Sequence, residues 1–235
     1  MKYPEDYINQ IIQGDSLAIL KTLSDKSIDM LFTDPPYNVS RKNNFGTMKR
    51  YNSYKGMDFG EWDWNFNQTD WIKIVASKLK DNCNVVIFNS WQNLKLINDC
   101  LTELSFEVKR PIVLKKNNPM PANRDRLFLN SFEFGIWATK GKWTFNRINK
   151  YNEAFFEVSN NGKTTHPTEK NIDAIKYFIT ILSNKNDLIL DPFLGSGTTA
   201  VACKELGRRY IGIEINQEYI NMANKRLKKI SEVLF

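Results

Sequence analysis

The sequence predicts an α/β fold: a doubly wound, mostly parallel sheet with helices on both faces. Three observations predict it. Short apolar runs alternate with stretches of helical period along the whole chain. Two of those runs stop at sharp loops, where an open α/β sheet holds ligands beyond the carboxyl ends of its strands. At 235 residues the chain has the length of one such domain.

Taken in order, Ile8 to Gln13 reads as a short strand closed by Gly14-Asp15. Ser16 to Leu23 reads as a helix, with Leu17, Leu20 and Leu23 on one face and Ser16 near its cap. Ile28 to Thr33 is a buried strand, Trp71 to Leu79 a helix, Asn84 to Phe88 a second buried strand and Leu94 to Leu104 another helix. Phe106 to Lys115 and Ser131 to Ala138 are strands that could pair. Thr168 to Leu182 is a long helix. Leu188 to Leu190 is a strand, Thr198 to Leu206 a helix, Tyr210 to Ile213 a strand and Gln217 to Ile230 a closing helix.

Two stretches break this alternation. Residues 38–67 mix glycine, charge and aromatics without a period and form a long loop, a length usually kept for function or disorder. Residues 141–163 are short, polar and poorly periodic. With no internal repeat and no linker, residues 1–235 are expected to form one domain carrying these two elaborations.

Hydrophobic residues at 42% and charged residues at 25% describe an ordinary soluble protein. No apolar run reaches the roughly 18 residues of a spanning helix. The start, Met1 to Asp6, lacks the apolar stretch of a signal peptide, so the expected location is the cytoplasm. Cys83, Cys100 and Cys203 form no paired motif, and His166 is the single histidine. Neither a disulfide framework nor a structural zinc, nor any other metal, is expected. The net charge of +7 suits a polyanionic partner, or is merely a solvated basic surface. Its distribution is clustered: Arg41, Lys42, Lys49, Arg50 and Lys55; then Lys109 to Arg126; then Lys140 to Lys150.

Gly195-Ser196-Gly197-Thr198-Thr199-Ala200 matches G-x-G-x-x-A between a strand and a helix. Glycines there permit a tight turn and close approach of a ligand to bare backbone. The next strand ends at Glu214, nineteen residues beyond Gly195, where a carboxylate can accept both ribose hydroxyls of an adenosine. On its own this constellation equally fits a dinucleotide, or a tight turn beside an exposed acid.

Asp34-Pro35-Pro36-Tyr37 follows the strand Ile28 to Thr33. Two prolines lock φ near −65° and remove donors. Asp34 and the Pro35 carbonyl then form a rigid, acceptor-only pair. An exocyclic amine has two N–H donors for such a pair, which draws its lone pair out of conjugation. Tyr37 offers an aromatic face for a base. Alone, the same four residues also fit an Asp-Pro turn with a core tyrosine.

With these motifs on one sheet and in this order, the chain resembles the beta class of amino-group DNA methyltransferases that use S-adenosylmethionine. The resemblance spans nearly the whole chain and implies a Rossmann-like methyltransferase fold in which the catalytic motif precedes the cofactor loop. It implies catalytic roles for Asp34, Pro35, Pro36 and Tyr37, with Asp34 also lining the cofactor site. It implies cofactor contacts from Asp191, Phe193, Gly195, Ser196, Gly197 and Thr198, and ribose binding by Glu214. Gly14-Asp15-Ser16 resembles the family's Gly-Asp turn, whose acid, Asp15 here, contacts the adenine of the cofactor. His166-Pro167-Thr168-Glu169-Lys170 resembles the segment at the cofactor's methionine end, with His166, Thr168 and Lys170 as contacts. The family usually has proline next, and this chain has Asn171.

Aspartate at the first position of the tetrapeptide is typical of adenine-N6 enzymes, so the expected reaction is site-specific methylation of adenine N6 in double-stranded DNA, with the base flipped out. Cytosine-N4 methylation is the neighbouring alternative. A dehydrogenase using NAD and a non-catalytic DNA-binding module are alternatives from other classes. Cytosine-C5 chemistry is excluded, because no proline here is followed by cysteine. The 38–67 loop, with Arg41, Lys42, Lys49 and Arg50, is expected to close on DNA, and Lys115, Lys116, Asn118, Arg124 and Arg126 to contact phosphates and bases. Residues 141–163 occupy the place of the family's target-recognition insert. A cognate restriction endonuclease and a second copy of the chain are the protein partners that the resemblance admits; a membrane is not.

Overall fold

The structure is a computed structural model, and it describes residues 4–38, 66–119, 126–159 and 170–233. Among these residues eight strands form one sheet: β1 Gln10–Gln13, β2 Ile28–Thr33, β3 Leu79–Asn89, β4 Glu107–Lys116, β5 Phe132–Lys140, β6 Phe155–Val158, β7 Leu188–Asp191 and β8 Arg209–Glu214. Their order across the sheet is β1-β8-β7-β2-β3-β5-β4-β6. Only β5 runs against the rest, pairing antiparallel with β3 and β4. The doubly wound, mostly parallel sheet is therefore as the sequence predicts, and Phe106–Lys115 and Ser131–Ala138 do pair.

Among the described residues six α-helices cover both faces: α1 Ser16–Thr22, α2 Asp70–Lys78, α3 Leu94–Glu103, α4 Ile172–Leu182, α5 Thr198–Glu205 and α6 Gln217–Val233. The strand pleat sorts the core into two layers. Val85 and Ile87 face α1, α2 and α3 through Leu20, Trp71, Ile72, Val75, Ile97 and Leu101. Val86 and Phe88 face α4, α5 and α6 through Ile175, Phe178, Ile179, Val201, Ala223 and Leu227. Burial of this kind contributes about 25 cal/mol per Å² of apolar surface, which makes the two layers the main favourable term. All three cysteines are free and buried within them. Among the described residues no helix is long and apolar enough to cross a membrane.

Three local readings need correction. The helix expected from Thr168 begins at Ile172; Asn171 is its N-cap, accepting from Asp173 N at 3.0 Å and Ala174 N at 3.1 Å. The residue that departs from the family's proline thus satisfies the orphan donors of the first turn. α1 ends at Thr22 rather than Leu23; Ser16 is near the cap as expected, and the cap itself is Asp15, with Oδ1 accepting from Ala18 N at 2.8 Å. Within 141–163 the sequence reading missed β6, a four-residue edge strand parallel to β4, whose partly exposed side chains leave no apolar pattern.

The described part of that stretch, residues 141–159, has a defined course. At its start Lys142 N donates to Asn82 Oδ1, and Asn146 N donates to Ile181 O, at the end of the sheet away from Asp34. It returns through β6 to Ser159, level with Lys116. The 38–67 loop closes on itself at its described ends: Asn38 Nδ2 donates to Phe66 O at 2.7 Å, and Phe66 N to Asn38 Oδ1 at 2.9 Å.

Candidate active site

The central pair of strands marks the site. From β2 the chain winds outward to β3, and from β7 it winds the other way to β8, so the switch point lies between β2 and β7. In such sheets a crevice opens there beyond the carboxyl ends. Asp34 follows β2 and Asp191 ends β7. Thr33 Oγ1 donates to Asp191 Oδ1 at 2.7 Å across the gap, bringing the two sequence motifs together.

The Asp34–Tyr37 turn is held from behind by amides. Gln68 Nε2 donates to Pro36 O at 2.9 Å, and Asn93 Nδ2 to Tyr37 O at 3.0 Å. Asn89, at the end of β3, ties these two together by donating to Gln68 Oε1 and accepting from Asn93 Nδ2. Gln68 and Asn89 are buried, and each buried polar atom has a partner, so the turn is rigid. Among the described residues nothing donates to the Pro35 carbonyl. The sequence reading missed all three amides; the one signal was a polar residue, Asn89, closing an apolar strand.

Around Asp34 the structure assembles alternating charges. Lys170 Nζ lies 2.8 Å from Asp34 Oδ2 and 3.0 Å from Glu133 Oε2. Lys116 Nζ lies 2.6 Å from Glu133 Oε1. The Tyr37 hydroxyl donates to Asp34 Oδ1, and Lys170 Nζ donates to that hydroxyl at 3.2 Å. Burial opposes the charge of Lys170, but Asp34 and Glu133 outweigh it and hold the ammonium above the ordinary lysine range. Burial would raise Glu133, yet Lys170 and Lys116 pull it down to about 2. Burial, with the charge of Asp34, keeps the Tyr37 phenol protonated well above the usual range.

The glycine loop lies opposite. Gly195 has φ +54°, and a side chain there would meet no atom within 4 Å, so its bare face is open. Gly197, at φ +88°, has no such room: a Cβ would lie 2.5 Å from Ala223 Cβ of α6. Arg226, one turn along α6, donates to Ser196 O at 2.9 Å and to Ser196 Oγ and Thr198 Oγ1 at 3.1 Å. Glu214 is buried and accepts from Gly195 N and Asn216 N, both at 2.8 Å, one on each carboxylate oxygen. Asp191 is buried too; burial pushes its carboxyl up to about 6, against hydrogen bonds from Thr199, Thr33 and Phe193 N. An open backbone face beside two buried carboxylates fits a nucleoside that carries a cationic amine.

Other expected site residues fall as follows. Asp15 is next to the loop, since Ser16 Oγ donates to Pro192 O. The Phe193 ring packs edge-on against Phe66 and Trp71, each 5.2 Å away. Lys170, expected at a cofactor's methionine end, instead has its ammonium on Asp34, Glu133 and Tyr37. Lys116, expected on DNA, is on Glu133, because the antiparallel register of β4 and β5 places the two diagonally on one face. Lys115 pairs with Glu157 at 2.8 Å, and Asn118 and Arg126 are exposed. Arg41, Lys42, Lys49, Arg50, Arg124, His166 and Thr168 lie outside the described residues. Glu133 was missed; an acid in the apolar run Phe132 to Ala138 was its only mark.

Comparison with known proteins agrees with this geometry. A family model described as DNA methylase matches residues 28–225. The chain is 34% identical to the type II methyltransferase M.HinfI of Haemophilus influenzae, covering 96% of this chain and 70% of that protein. It is 32% identical to the type II methyltransferase M2.LlaDCHI of Lactococcus lactis subsp. cremoris, over 93% and 89%. The crystal structure of the M1.HpyAVI–SAM complex superposes with a TM-score of 0.73 at 36% identity, covering 92% of this chain and 98% of that one. The cytosine-N4-specific PvuII DNA methyltransferase shares the fold, with a TM-score of 0.73 at 20% identity. The switch-point site, the glycine loop and these matches together establish that the chain belongs to the DNA methylase family and is a DNA methyltransferase.

Proposed function

We propose that this enzyme methylates the exocyclic N6 of an adenine flipped out of double-stranded DNA at a specific site, with S-adenosylmethionine as the donor. One observation carries the reading: the Asp34 carboxylate stands at the switch point beside Tyr37, among the described residues nothing donates to the Pro35 carbonyl, and Thr33 ties this strand end to Asp191, which leads into the open glycine loop. Two fixed acceptors match the two N–H groups of an exocyclic amine. Aspartate at the head of the tetrapeptide favours adenine over cytosine.

Bound S-adenosylmethionine supplies an electrophilic methyl group on a sulfonium. Glu214 accepts its ribose hydroxyls, Asp15 meets its adenine, and Asp191 with the backbone of Gly195 to Thr198 holds its amino-acid end. Phe193 walls that pocket from its aromatic cluster. His166 and Thr168 complete it. Asp34 and the Pro35 carbonyl accept the amine's two N–H groups, drawing its lone pair out of the ring and into line. Pro36 keeps the turn stiff. The amine sheds one proton in the transfer, and Asp34 is the acceptor in reach. Positioning and preorganised acceptors supply most of the rate.

Flipping the base costs a few kcal/mol. Stacking on Tyr37 returns about 1–3 kcal/mol. Arg41, Lys42, Lys49 and Arg50 of the 38–67 loop, with Lys115, Asn118, Arg124 and Arg126, provide phosphate and base contacts. The Lys115–Glu157 pair is exposed and screened by solvent, so a phosphate can displace it. Residues 141–163 contribute to target recognition. The type II methyltransferase relatives support a role in restriction–modification; from that role we infer a cytoplasmic location, a cognate endonuclease as partner and a second copy of the chain as a further one.

The test is direct. Unmethylated bacterial genomic DNA is incubated with the protein and S-adenosylmethionine, digested to nucleosides and read by mass spectrometry, with long-read sequencing to give the site. N6-methyladenine at one motif is expected. N4-methylcytosine would overturn the choice of base, and no methylated nucleoside would overturn the reaction.

A further inference from the structure

In the structure, both oxygens of Asp34 already accept a hydrogen bond. Oδ1 takes the Tyr37 hydroxyl and Oδ2 takes Lys170. Each oxygen keeps a second lone pair, but the ammonium on Oδ2 draws off negative charge through a charge-assisted bond, the stronger kind, and weakens Asp34 as an acceptor for an incoming amine. Lys170 is buried, with a side-chain exposure of 10%, so its ammonium cannot simply turn to water. It needs a second anion at hand, because an unpaired buried charge costs several kcal/mol.

Glu133 is that anion. We propose that Glu133 is a positioning residue that takes over Lys170 when the target amine takes over Asp34; this rests on the methyl-transfer reading given above. Its Oε2 already lies 3.0 Å from Lys170 Nζ, against 2.8 Å for Asp34 Oδ2, so the ammonium is shared and its transfer needs almost no travel. Lys116 holds the far oxygen, Oε1, at 2.6 Å and keeps the carboxylate aimed and ionised. Strand β5 fixes its height: Glu133 pairs with Leu114, while Phe134 pairs with Asn89, the residue that supports the Asp34 turn from behind. The row Lys116, Glu133, Lys170, Asp34 sums to zero formal charge, so moving Lys170 toward Glu133 creates no new net charge. It leaves Asp34 as an acceptor for the amine at full negative charge.

The experiment compares Glu133→Gln and Glu133→Asp with wild type. Methyl transfer to unmethylated genomic DNA is followed under saturating labelled S-adenosylmethionine, and S-adenosylhomocysteine affinity is followed by calorimetry. Separately, lysine 13Cε NMR of the ligand-free protein reads the Lys170 titration, assigned with Lys170→Arg. Glu133→Gln should lower turnover by about 30-fold, leave S-adenosylhomocysteine affinity within twofold, and move the Lys170 titration downward. Glu133→Asp, which keeps the charge, should recover at least threefold of the lost turnover and most of the Lys170 shift. Turnover within twofold of wild type in Glu133→Gln, or a Lys170 titration that does not move, overturns the proposal. So does an equal loss of turnover and nucleoside affinity, which marks a merely structural role. Should Glu133→Gln not fold, Glu133→Met, which also removes the charge, takes its place, and turnover within twofold of wild type or an unmoved Lys170 titration overturns the proposal. A wild-type protein that methylates no DNA strikes the proposed reaction instead, while the Lys170 titration still decides whether Glu133 holds that lysine.

Discussion

Thr33 and Asp191 are 158 positions apart in the chain and 2.7 Å apart in space, Oγ1 donating to Oδ1 at the ends of adjacent strands. That bond joins the turn proposed to receive the amine to the loop proposed to receive the methyl donor. Distances between reacting groups are set by this junction, and misplacement by about 1 Å can cost on the order of a hundredfold in rate.

Asp191 makes the junction sensitive to pH. Its carboxyl rises from 3.8 to about 6 in the fold because it is buried. The neutral form therefore favours the folded state below about pH 4, and that contribution is lost as pH rises through 6. Asp191→Asn removes the buried charge and keeps an acceptor for Thr33 and Phe193 N. Urea unfolding should show the variant more stable than wild type at pH 8, by up to about 3 kcal/mol, and equal to it at pH 4. A difference that does not change between the two pH values refutes this. Donor affinity should fall at every pH.

Asp34→Ala should abolish methyl transfer while leaving S-adenosylhomocysteine affinity within several-fold. The Asp34 carboxylate faces Lys170 and Tyr37, whereas Glu214 and Gly195, bonded to each other, line the proposed donor pocket. Methylation at a rate near wild type, followed by tritium transfer, would remove Asp34 from the reaction.

Tyr37 has two parts with separate consequences. From the sequence alone its ring was the working part, and the hydroxyl had no task. In the fold the hydroxyl holds Asp34 Oδ1 and accepts from Lys170. Tyr37→Phe should keep the Michaelis constant for DNA but lose about tenfold in turnover. Tyr37→Ala should also lose about 1–3 kcal/mol of base stacking, read as a raised Michaelis constant. With 2-aminopurine at the target position, wild type and Tyr37→Phe should give matching fluorescence changes on binding. A different change in Tyr37→Phe would mean that the hydroxyl positions the base itself.

The two loop glycines should separate stability from binding. Gly197→Ala meets Ala223 at 2.5 Å and carries a positive φ, so it should cost more than about 2 kcal/mol in denaturant unfolding. Gly195→Ala has open space and should cost only the backbone term of about 1–2 kcal/mol. Its methyl group points into the donor's place, so S-adenosylhomocysteine affinity should drop at least tenfold. Retained affinity in Gly195→Ala would show that the open face is not the binding face.

Arg226 secures the same loop from α6 through three donated bonds to Ser196 and Thr198. Arg226→Met keeps the apolar stem and removes the donors. We expect donor affinity to fall several-fold, with stability reduced by about 1–3 kcal/mol. Calorimetry showing unchanged affinity would limit Arg226 to packing.

Local chemistry decided most of the architecture. Apolar runs of strand length, helical spacing and the breakers between them specify β2, β7, β8 and the helices that follow, because backbone period and side-chain burial are properties of neighbouring residues. Asp34-Pro35-Pro36-Tyr37 and the glycine loop were legible for the same reason: stiff turns and bare backbone are written in consecutive residues. Only the tertiary structure decided the rest. The start of α4 depended on which polar residue reached the free N–H groups, and Asn171 did so where Thr168 was expected. Lys116 and Lys170 carried no sign of their partner, because Glu133 meets them through the register of β4 against β5 and the approach of α4. Ion pairs across a sheet are set by distances between elements far apart in the chain, and no window of the sequence contains that distance.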